Sequence, residues 1–430
     1  MSTLSTQPEQ ARAAAAVATL PGSAAVTDNA HSAFLSQRQI PNLDALRGIS
    51  ILWVFLHHVP LLPWPWARAF QENGRHGVSF FFVISGFLIT TLFLREERTT
   101  GQIQLLRFYG RRMLRLMPLY YLVLLLYCGI VLGLDLYSAE NRALFIQKLP
   151  AYIFYYSNLL PVATQGPFFF SWSLAVEEQF YLLFGLSMRW LSRRTILAVV
   201  GGLIALKLTL FALHGSEIMN IGVLRVALSY HEPILMGVLL GFAMNTRLGF
   251  SLCQRFLADW RTLAVLGLGI AVAVSSSVVE GRSSGHAVLL YTMMTLFVAG
   301  AVLRPNVEGL GAKFAAHVGK VSYGMYLLHM LVINATRKVF DNPFFVLAVG
   351  IPATIGIATA VYNYIEAPLL RYRHWFEPKA KNANANAPTN AKVPVVEPKP
   401  VESRRPAAGE PAPTAPLDLM GLRRRLNLMP

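Results

Sequence analysis

The chain has 430 residues, of which 54% are hydrophobic and only 14% charged, and its mean hydropathy is +0.45. This composition is too apolar for an ordinary soluble domain, in which about a quarter of the residues are charged, and it predicts a membrane protein. The net charge of +16 does not indicate a nucleic-acid-binding protein, because the basic residues lie between apolar runs. The two cysteines, Cys128 and Cys253, exclude a disulfide framework and a cysteine-based zinc cluster, and we expect no metal site.

The two ends of the chain differ from its apolar middle. Residues 1–40 are rich in Ala, Ser, Thr and Gln, and we predict a disordered tail rather than a signal peptide, since only Arg12 supplies positive charge there. Residues 373–430 are rich in Pro and Ala and are predicted to form a second disordered tail. Residues 41–372 are predicted to form one all-α membrane domain.

Between the tails, apolar segments cover residues 46–63, 77–94, 114–134, 149–163, 173–188, 195–213, 221–244, 262–279, 286–303, 321–336 and 345–366. A transmembrane helix needs roughly 20 apolar residues, and most of these segments are close to that length. Segment 149–163 is predicted to be re-entrant or interfacial. Ten spans then remain, and the loops on the side of the tails hold fifteen basic residues against seven on the other side. The positive-inside rule therefore predicts a multi-pass membrane protein with about ten helices and cytoplasmic termini.

The first apolar segment carries Arg47 and His58, which are eleven residues apart. On a helix they differ by roughly 20° in direction and by about 16 Å along the axis, so they share a face, whereas His57 points elsewhere. A neutral imidazole is the commonest general base, which makes His58 a candidate catalytic group. The alternative is that Arg47 reaches the inner interface and the histidines lie at the outer one.

In the second segment, the small pair Ser85-Gly86 interrupts a run of bulky residues. Small residues in a membrane helix usually allow a neighbouring helix to approach closely, and this interpretation is favoured over direct contact with a ligand.

Three arginines precede the third segment. Arg111 and Arg115 are four residues apart and Arg112 and Arg115 three apart, so a helix gathers them toward one side at the cytoplasmic surface. Such a cluster suits phosphate groups, which arginine binds through two parallel hydrogen bonds. Anionic lipid headgroups and the positive-inside rule explain the same arginines.

Two adjacent carboxylates, Glu177 and Glu178, enter the helix predicted over 173–188. Neighbouring side chains on a helix point about 100° apart, so the pair cannot act together on one ligand. Ser173 and Tyr181 lie one turn on either side of Glu177, which predicts that Glu177 faces the bundle and can act as a base, an acid or an orienter of a histidine. The alternative is a solvated cap at the outer end of the helix.

Near the end of the domain, Ser322, Tyr326 and His329 lie near one helix face. Their roles can be structural, and they are not included among the predicted site residues.

These motifs together resemble the bacterial acyltransferase-3 family. The matching blocks are residues 43–49 with His58, and residues 81–89, 111–115, 172–182, 322–329 and 364–369. They follow the family order over residues 40–372. Two positions depart from the usual pattern: Ser79 stands where an aspartate is common and Phe170 where a histidine is common.

The resemblance to this bacterial family implies an integral O-acyltransferase of the inner (cytoplasmic) membrane with about ten helices. Such enzymes move an acyl group, often acetyl from acetyl-CoA, to a hydroxyl of a polysaccharide or related glycan. Acyl-CoA is then expected as a co-substrate and not as a bound cofactor, and the expected partners are the lipid bilayer, the donor and a hydroxyl-bearing acceptor, with no nucleic acid.

The resemblance also assigns roles to individual residues. The expected catalytic residues are His58, Glu177 and Arg47; the expected donor-binding residues are Arg111, Arg112, Arg115, Ser85 and Gly86; the expected supporting residues are Asp44, Trp172, Ser173, Glu178, Gln179 and Tyr181. His58 is expected either to deprotonate the acceptor hydroxyl or to carry the acyl group. A secondary transporter or flippase is the alternative function, because buried Arg, His and Glu also form proton relays, although no inverted repeat is evident.

Overall fold

The computed structural model describes residues 21–37, 39–134, 136–160, 166–214, 231–275 and 284–377. Within these ranges the regular structure is entirely helical and contains no strand, which confirms the predicted all-α fold. Residues 378–430 of the predicted C-terminal tail, and residues 1–20 of the N-terminal one, lie outside the described ranges.

The longer helices are α1 (Pro21–Ser36), α2 (Leu43–His58), α3 (Pro65–Glu72), α4 (His76–Thr100), α5 (Leu105–Cys128), α6 (Ala139–Ile153), α7 (Trp172–Trp190), α8 (Arg193–His214), α9 (Glu232–Met244), α10 (Arg247–Leu257), α11 (Trp260–Ser275), α12 (Ser284–Val302), α13 (Leu310–Lys320), α14 (Ser322–Val339) and α15 (Ile351–Val361). Short α-helical turns cover Pro343–Phe345 and Ala367–Leu370, and 3-10 turns cover Asn73–Arg75, Ser157–Leu159, Phe169–Ser171 and Arg371–Phe376. Single π-helical turns cover Gly129–Gly133, Val346–Gly350 and Tyr362–Glu366.

Three helical stretches in the described residues are long and apolar enough to cross a membrane, namely Pro65–Thr100, Leu105–Gly133 and Pro343–Phe376. Helices α9 and α10 make a fourth candidate if the pair is one span, although it is bent by 105°. The ten predicted spans are therefore not confirmed. Helix α9 has 13 residues and α11 has 16, which is short for a single crossing, and the predicted span 221–244 begins outside the described residues.

Helix α4 is the most buried of these stretches and contacts α2, α7, α9 and α12. Its residues Val83, Ile84 and Phe87 are fully buried. Lipid chains are as apolar as these side chains, so close van der Waals packing, and not exclusion from water, holds such helices together in a membrane. Helix α4 thus packs against the neighbouring helices and fixes the positions of their polar residues.

The start of α2 is fixed by Asn42, which adopts the left-handed conformation with φ 59°. Asparagine tolerates this conformation better than most residues. Its side-chain amide donates to the carbonyl oxygens of Ala301 at 2.8 Å and Pro305 at 3.1 Å, and its Oδ1 accepts from the backbone N–H of Val307 at 3.0 Å. The beginning of α2 is therefore tied to the loop that follows α12.

The segment predicted to be re-entrant or interfacial, 149–163, is not one continuous helix over its described part. Helix α6 ends at Ile153, Tyr155 takes a left-handed φ of 53°, and a 3-10 turn covers Ser157–Leu159. Residues 161–163 lie outside the described ranges.

The predicted disorder of residues 1–40 is wrong over the described part of that range. Helix α1 forms there, and the Arg95 guanidinium donates to the carbonyl oxygens of Phe34 at 2.9 Å and Gln37 at 2.6 Å. The side chains of His31 and Phe34 are buried, and the His31 ring lies 4.9 Å from that of Phe250. Composition alone predicts disorder here, because the segment is rich in Ala and only a few of its residues make the contacts that hold α1 in place.

The boundary predicted at residue 373 is also wrong by several residues. A 3-10 helix continues over Arg371–Phe376 and contacts α5. Arg111 donates to the carbonyl oxygen of Phe376, and Arg107 donates to that of Glu377. The ordered domain therefore extends to at least residue 377.

Candidate active site

Helix α2 is held by an unusually close approach to α13. A methyl group placed on Gly48 would lie 2.1 Å from the carbonyl oxygen of Ala315, and one placed on Gly319 would lie 1.6 Å from that of Asp44. Only glycine allows the two backbones to touch in this way. The contact fixes α2, and with it both Arg47 and His58.

A second close approach joins α4 and α9. A methyl group on Gly86 would lie 2.0 Å from the carbonyl oxygen of Ile234, and one on Gly237 would lie 2.2 Å from that of Val83. Gly86 therefore acts in helix packing, and the geometry does not support the donor-binding role predicted for it. Its neighbour Ser85 points to a different side of α4, toward α7.

A half-open cavity with a mixed polar and apolar lining lies between α2, α4, α5, α7 and α14. The charged residues that line it are Arg47, Arg112, Arg115 and Glu177, and Ser85 and Tyr181 also face it. Three arginines against one glutamate give the cavity a formal charge of +2. A pocket with this charge fits a ligand that carries several negative charges, such as a group of phosphates.

Glu177 is the carboxylate in this cavity. The Ser85 hydroxyl donates to its Oε1 at 2.6 Å, which joins α4 to α7. Glu178 does not line the cavity. Gln179 turns away from it and makes hydrogen bonds with the carbonyl oxygen of Tyr155 at 2.8 Å and with the Asn158 side chain, so it supports the segment after α6.

The arginines of α5 divide into two groups. The guanidinium of Arg112 lies over the Tyr181 ring, 4.9 Å from its centroid, and such a cation–π contact holds the charge in place while its edges stay available to a ligand. Arg115 lines the same cavity. Arg111 lies outside it, because its guanidinium pairs with the buried carboxylate of Glu96 at 2.9 Å. The geometry therefore does not support the donor-binding role predicted for Arg111.

His58 lies at the other end of α2 and is not part of the cavity wall. Its Nδ1 lies 2.8 Å from the carbonyl oxygen of Val54. A carbonyl oxygen can only accept, so Nδ1 carries the hydrogen and Nε2 keeps the lone pair that a base or a nucleophile needs. The rings of His57 and His329 each lie 4.9 Å from that of His58, and Phe169 lies 5.9 Å away. No hydrogen bond joins His58 to Glu177 among the described residues.

Tyr326 connects the two parts of the site. Its ring lines the cavity, and its hydroxyl donates to the carbonyl oxygen of Phe170 at 2.9 Å. The Ser173 hydroxyl lies 2.6 Å from the Tyr326 hydroxyl, and His329 follows Tyr326 by one helical turn. Tyr326 thus lines the arginine cavity with its side chain and contacts Nδ1 of His329 through its carbonyl oxygen at 2.6 Å.

The remaining predicted residues support the site from outside the cavity. The Asp44 carboxylate forms an ion pair with the Arg47 guanidinium at 3.3 Å. The Asp44 side chain is exposed, so it contacts the arginine from the solvent-accessible side. Trp172 packs against two rings, edge-to-face with Phe82 at 6.2 Å and tilted against His231 at 5.1 Å. His231 was not found by sequence reasoning, because nothing in its local pattern distinguishes it.

Comparison with known proteins gives an independent result. The family model described as an acyltransferase domain matches residues 40–363. The O-acetyltransferase OatA of Staphylococcus aureus strain NCTC 8325 / PS 47 is 29% identical over 365 residues, and the alignment covers 78% of this chain and 58% of that protein. The same protein of strain MRSA252 gives the same values. This chain thus spans less than two thirds of the length of these relatives, and no solved structure matches. Because the family model covers most of the chain, this protein belongs to the acyltransferase family defined by that domain.

Proposed function

We propose that this protein transfers an acyl group, in the simplest case acetyl, from cytoplasmic acyl-CoA to a hydroxyl of an envelope polysaccharide or related glycan. The observation that carries the proposal is the cavity in which Arg47, Arg112 and Arg115 surround one carboxylate, with His58 further along the helix that begins at Leu43. Coenzyme A carries three phosphoryl groups, and arginine binds phosphate through charge-assisted hydrogen bonds.

In this proposal, Arg112 and Arg115 bind the phosphates of the donor and Arg47 lines the path of its acyl arm. Glu177 balances the arginines, in keeping with its hydrogen bond to Ser85. His58 offers the Nε2 lone pair, either as the base that deprotonates the acceptor hydroxyl or as the carrier of the acyl group. The geometry of His58 supports both routes, since each begins with the same lone pair.

The choice of an acetyl group and of an oxygen acceptor draws on the relatives, which are named O-acetyltransferases. The location in the inner membrane, with both termini cytoplasmic, draws on the excess of basic residues in the loops on the side of the tails. The choice of a polysaccharide acceptor draws on the family resemblance.

The proposal is tested by the O-acetyl content of purified surface polysaccharide, measured by proton NMR. The strains carry the parent gene, a deletion, His58→Ala or His57→Ala, with protein abundance checked by immunoblot. His57 is the matched control, because it is the adjacent imidazole and its Nδ1 likewise lies 3.0 Å from a carbonyl oxygen, that of Gln71. We expect the acetyl signal to disappear in the deletion and to be lost with His58→Ala, because losing a general base slows transfer by about 100- to 10,000-fold.

Acetyl signals that stay unchanged in the deletion and in His58→Ala would contradict the proposal. Uptake of a glycan into proteoliposomes without consumption of acetyl-CoA would favour a transporter instead.

A further inference from the structure

A second imidazole lies against His58. His329, on α14, is completely buried, and its ring centroid lies 4.9 Å from that of His58 at an interplanar angle of 67°. Its Nδ1 lies 2.6 Å from the carbonyl oxygen of Tyr326 and therefore carries the hydrogen. Its Nε2 keeps the lone pair, is buried, and has no hydrogen-bond partner among the described residues.

A buried acceptor without a partner is unfavourable, and native proteins rarely keep one without a function. His58 beside it is held in the same tautomer, because its Nδ1 donates to a backbone carbonyl, that of Val54, and Nε2 keeps the lone pair. Each ring is held by its own helix in the tautomer that carries its lone pair on Nε2, and the two ring centroids lie 4.9 Å apart. A single proton added to this pair of rings would be stabilised, because the protonated ring can donate a hydrogen bond to Nε2 of the neutral ring.

The described neighbours of the two histidine rings include few other groups that could accept a hydrogen bond from the added proton. The contacts described for the two rings are with His57, with the aromatic rings of Phe169, Phe170 and Tyr326, and with backbone carbonyls already engaged by Nδ1. The carboxylate of the site, Glu177, is hydrogen-bonded to Ser85 and does not reach the histidines. A protonated His58 thus has His329 as its neighbouring acceptor.

We propose that His329 is a positioning residue that stabilises the protonated state of His58 during acyl transfer; this inference rests on the proposed function. The acceptor oxygen forms a bond to the thioester carbonyl carbon while its O–H bond breaks and the proton passes to Nε2 of His58. The Nε2–H of the resulting imidazolium donates to Nε2 of His329. When the C–S bond breaks, the sulfur leaves as thiolate and takes the proton, which yields the ester, free CoA thiol and neutral His58.

Two substitutions at His329 separate this role from a structural one. Asparagine has an amide N–H that can replace the Nδ1 donor to Tyr326, but it has no acceptor at the position of Nε2. Glutamine loses the Nδ1 donor, but its Oε1 can accept at the position of Nε2. A structural role depends on the first contact and the proposed role on the second.

The assay uses the purified full-length chain in proteoliposomes with acetyl-CoA and an envelope glycan fraction. We expect His329→Asn to lower kcat about 10- to 100-fold, the range set by hydrogen bonds to charged groups, with an unchanged KM for acetyl-CoA. His329→Gln should recover most of this loss. The proposal is overturned if His329→Asn keeps the parent kcat, or if both variants lose activity in proportion to a lowered Tm.

A measurement that needs no turnover keeps this inference separate from the proposed function. In acidified, histidine-labelled protein, solid-state nitrogen NMR should show a correlation between Nε2 of His58 and Nε2 of His329, and His329→Asn should abolish it. The absence of that correlation in the parent protein overturns the role of His329. A parent that shows the correlation but transfers no acetyl group overturns only the acyl transfer.

Discussion

The arginine cavity makes a sharp prediction about donor binding, because two adjacent arginines of α5 have different surroundings. Arg112 faces the cavity and Arg111 pairs with Glu96 outside it. Removing Arg112 reduces the formal charge of the cavity from +2 to +1 and removes one charge-assisted contact to phosphate. Such contacts contribute about 1.5–3 kcal/mol each, which corresponds to about 10- to 150-fold in affinity. We therefore expect Arg112→Gln to raise the KM for acetyl-CoA by that factor.

Arg111→Gln is the matched control, because it makes the same chemical change one residue away. It leaves the buried carboxylate of Glu96 without its cation, although the backbone N–H of Gln104 still donates to that carboxylate at 2.7 Å. We expect a loss of about 1–3 kcal/mol in stability with the KM for acetyl-CoA unchanged. Initial rates give the KM, and thermal unfolding in detergent gives the stability. Equal increases in KM for the two variants, or none for Arg112→Gln, would refute the assignment of phosphate binding to this cavity.

Two further predictions concern the frame of the domain. Gly86→Ala should cost about 1–3 kcal/mol in stability, because its methyl group would lie 2.0 Å from the Ile234 carbonyl oxygen and force α4 and α9 apart. Gly129→Ala, where nothing lies within 4 Å, should leave Tm unchanged or slightly higher, and equal Tm losses for the two would show that the close approach is unimportant. Burial lowers the pKa of His31 below its ordinary 6.5, so docking of α1 should be fully stable above pH 6.5 and weaken as the pH falls below it. Limited proteolysis of α1 should accelerate at acid pH in the parent and not in His31→Phe; the same cleavage rate in the parent at both pH values would contradict this.

Local helical spacing predicted much of the arrangement around Glu177. Ser173 and Tyr181 lie one turn to either side of it, and all three residues line the cavity, whereas the adjacent Glu178 does not. This succeeds because side chains three or four residues apart on one helix share a face whatever the rest of the fold does. The small pair at Ser85 and Gly86 likewise indicated a close helix contact.

The same spacing failed for Arg111, whose partners are distant in the chain. Its position four residues before Arg115 predicts a shared face, but Glu96 and the carbonyl oxygen of Phe376 draw its guanidinium away. The role of His329 was hidden for the same reason, since its contact with His58 joins residues 271 positions apart. Periodicity describes the faces of single helices, and it carries no information about which faces meet.

Under the proposed function, the separation of Arg47 and His58 on one helix sets a length requirement for the donor. Eleven residues of helix place the two side chains about 16 Å apart along the axis, and the contacts of α2 with α13 hold that helix in place. In the proposed function the acyl arm of the donor passes Arg47, so a donor would reach His58 only if its acyl group extends about that length beyond Arg47. Acetyl phosphate carries its acetyl group directly on the phosphate and would therefore be too short. Under that proposal, the length of α2 selects donors whose acyl group lies on a long arm.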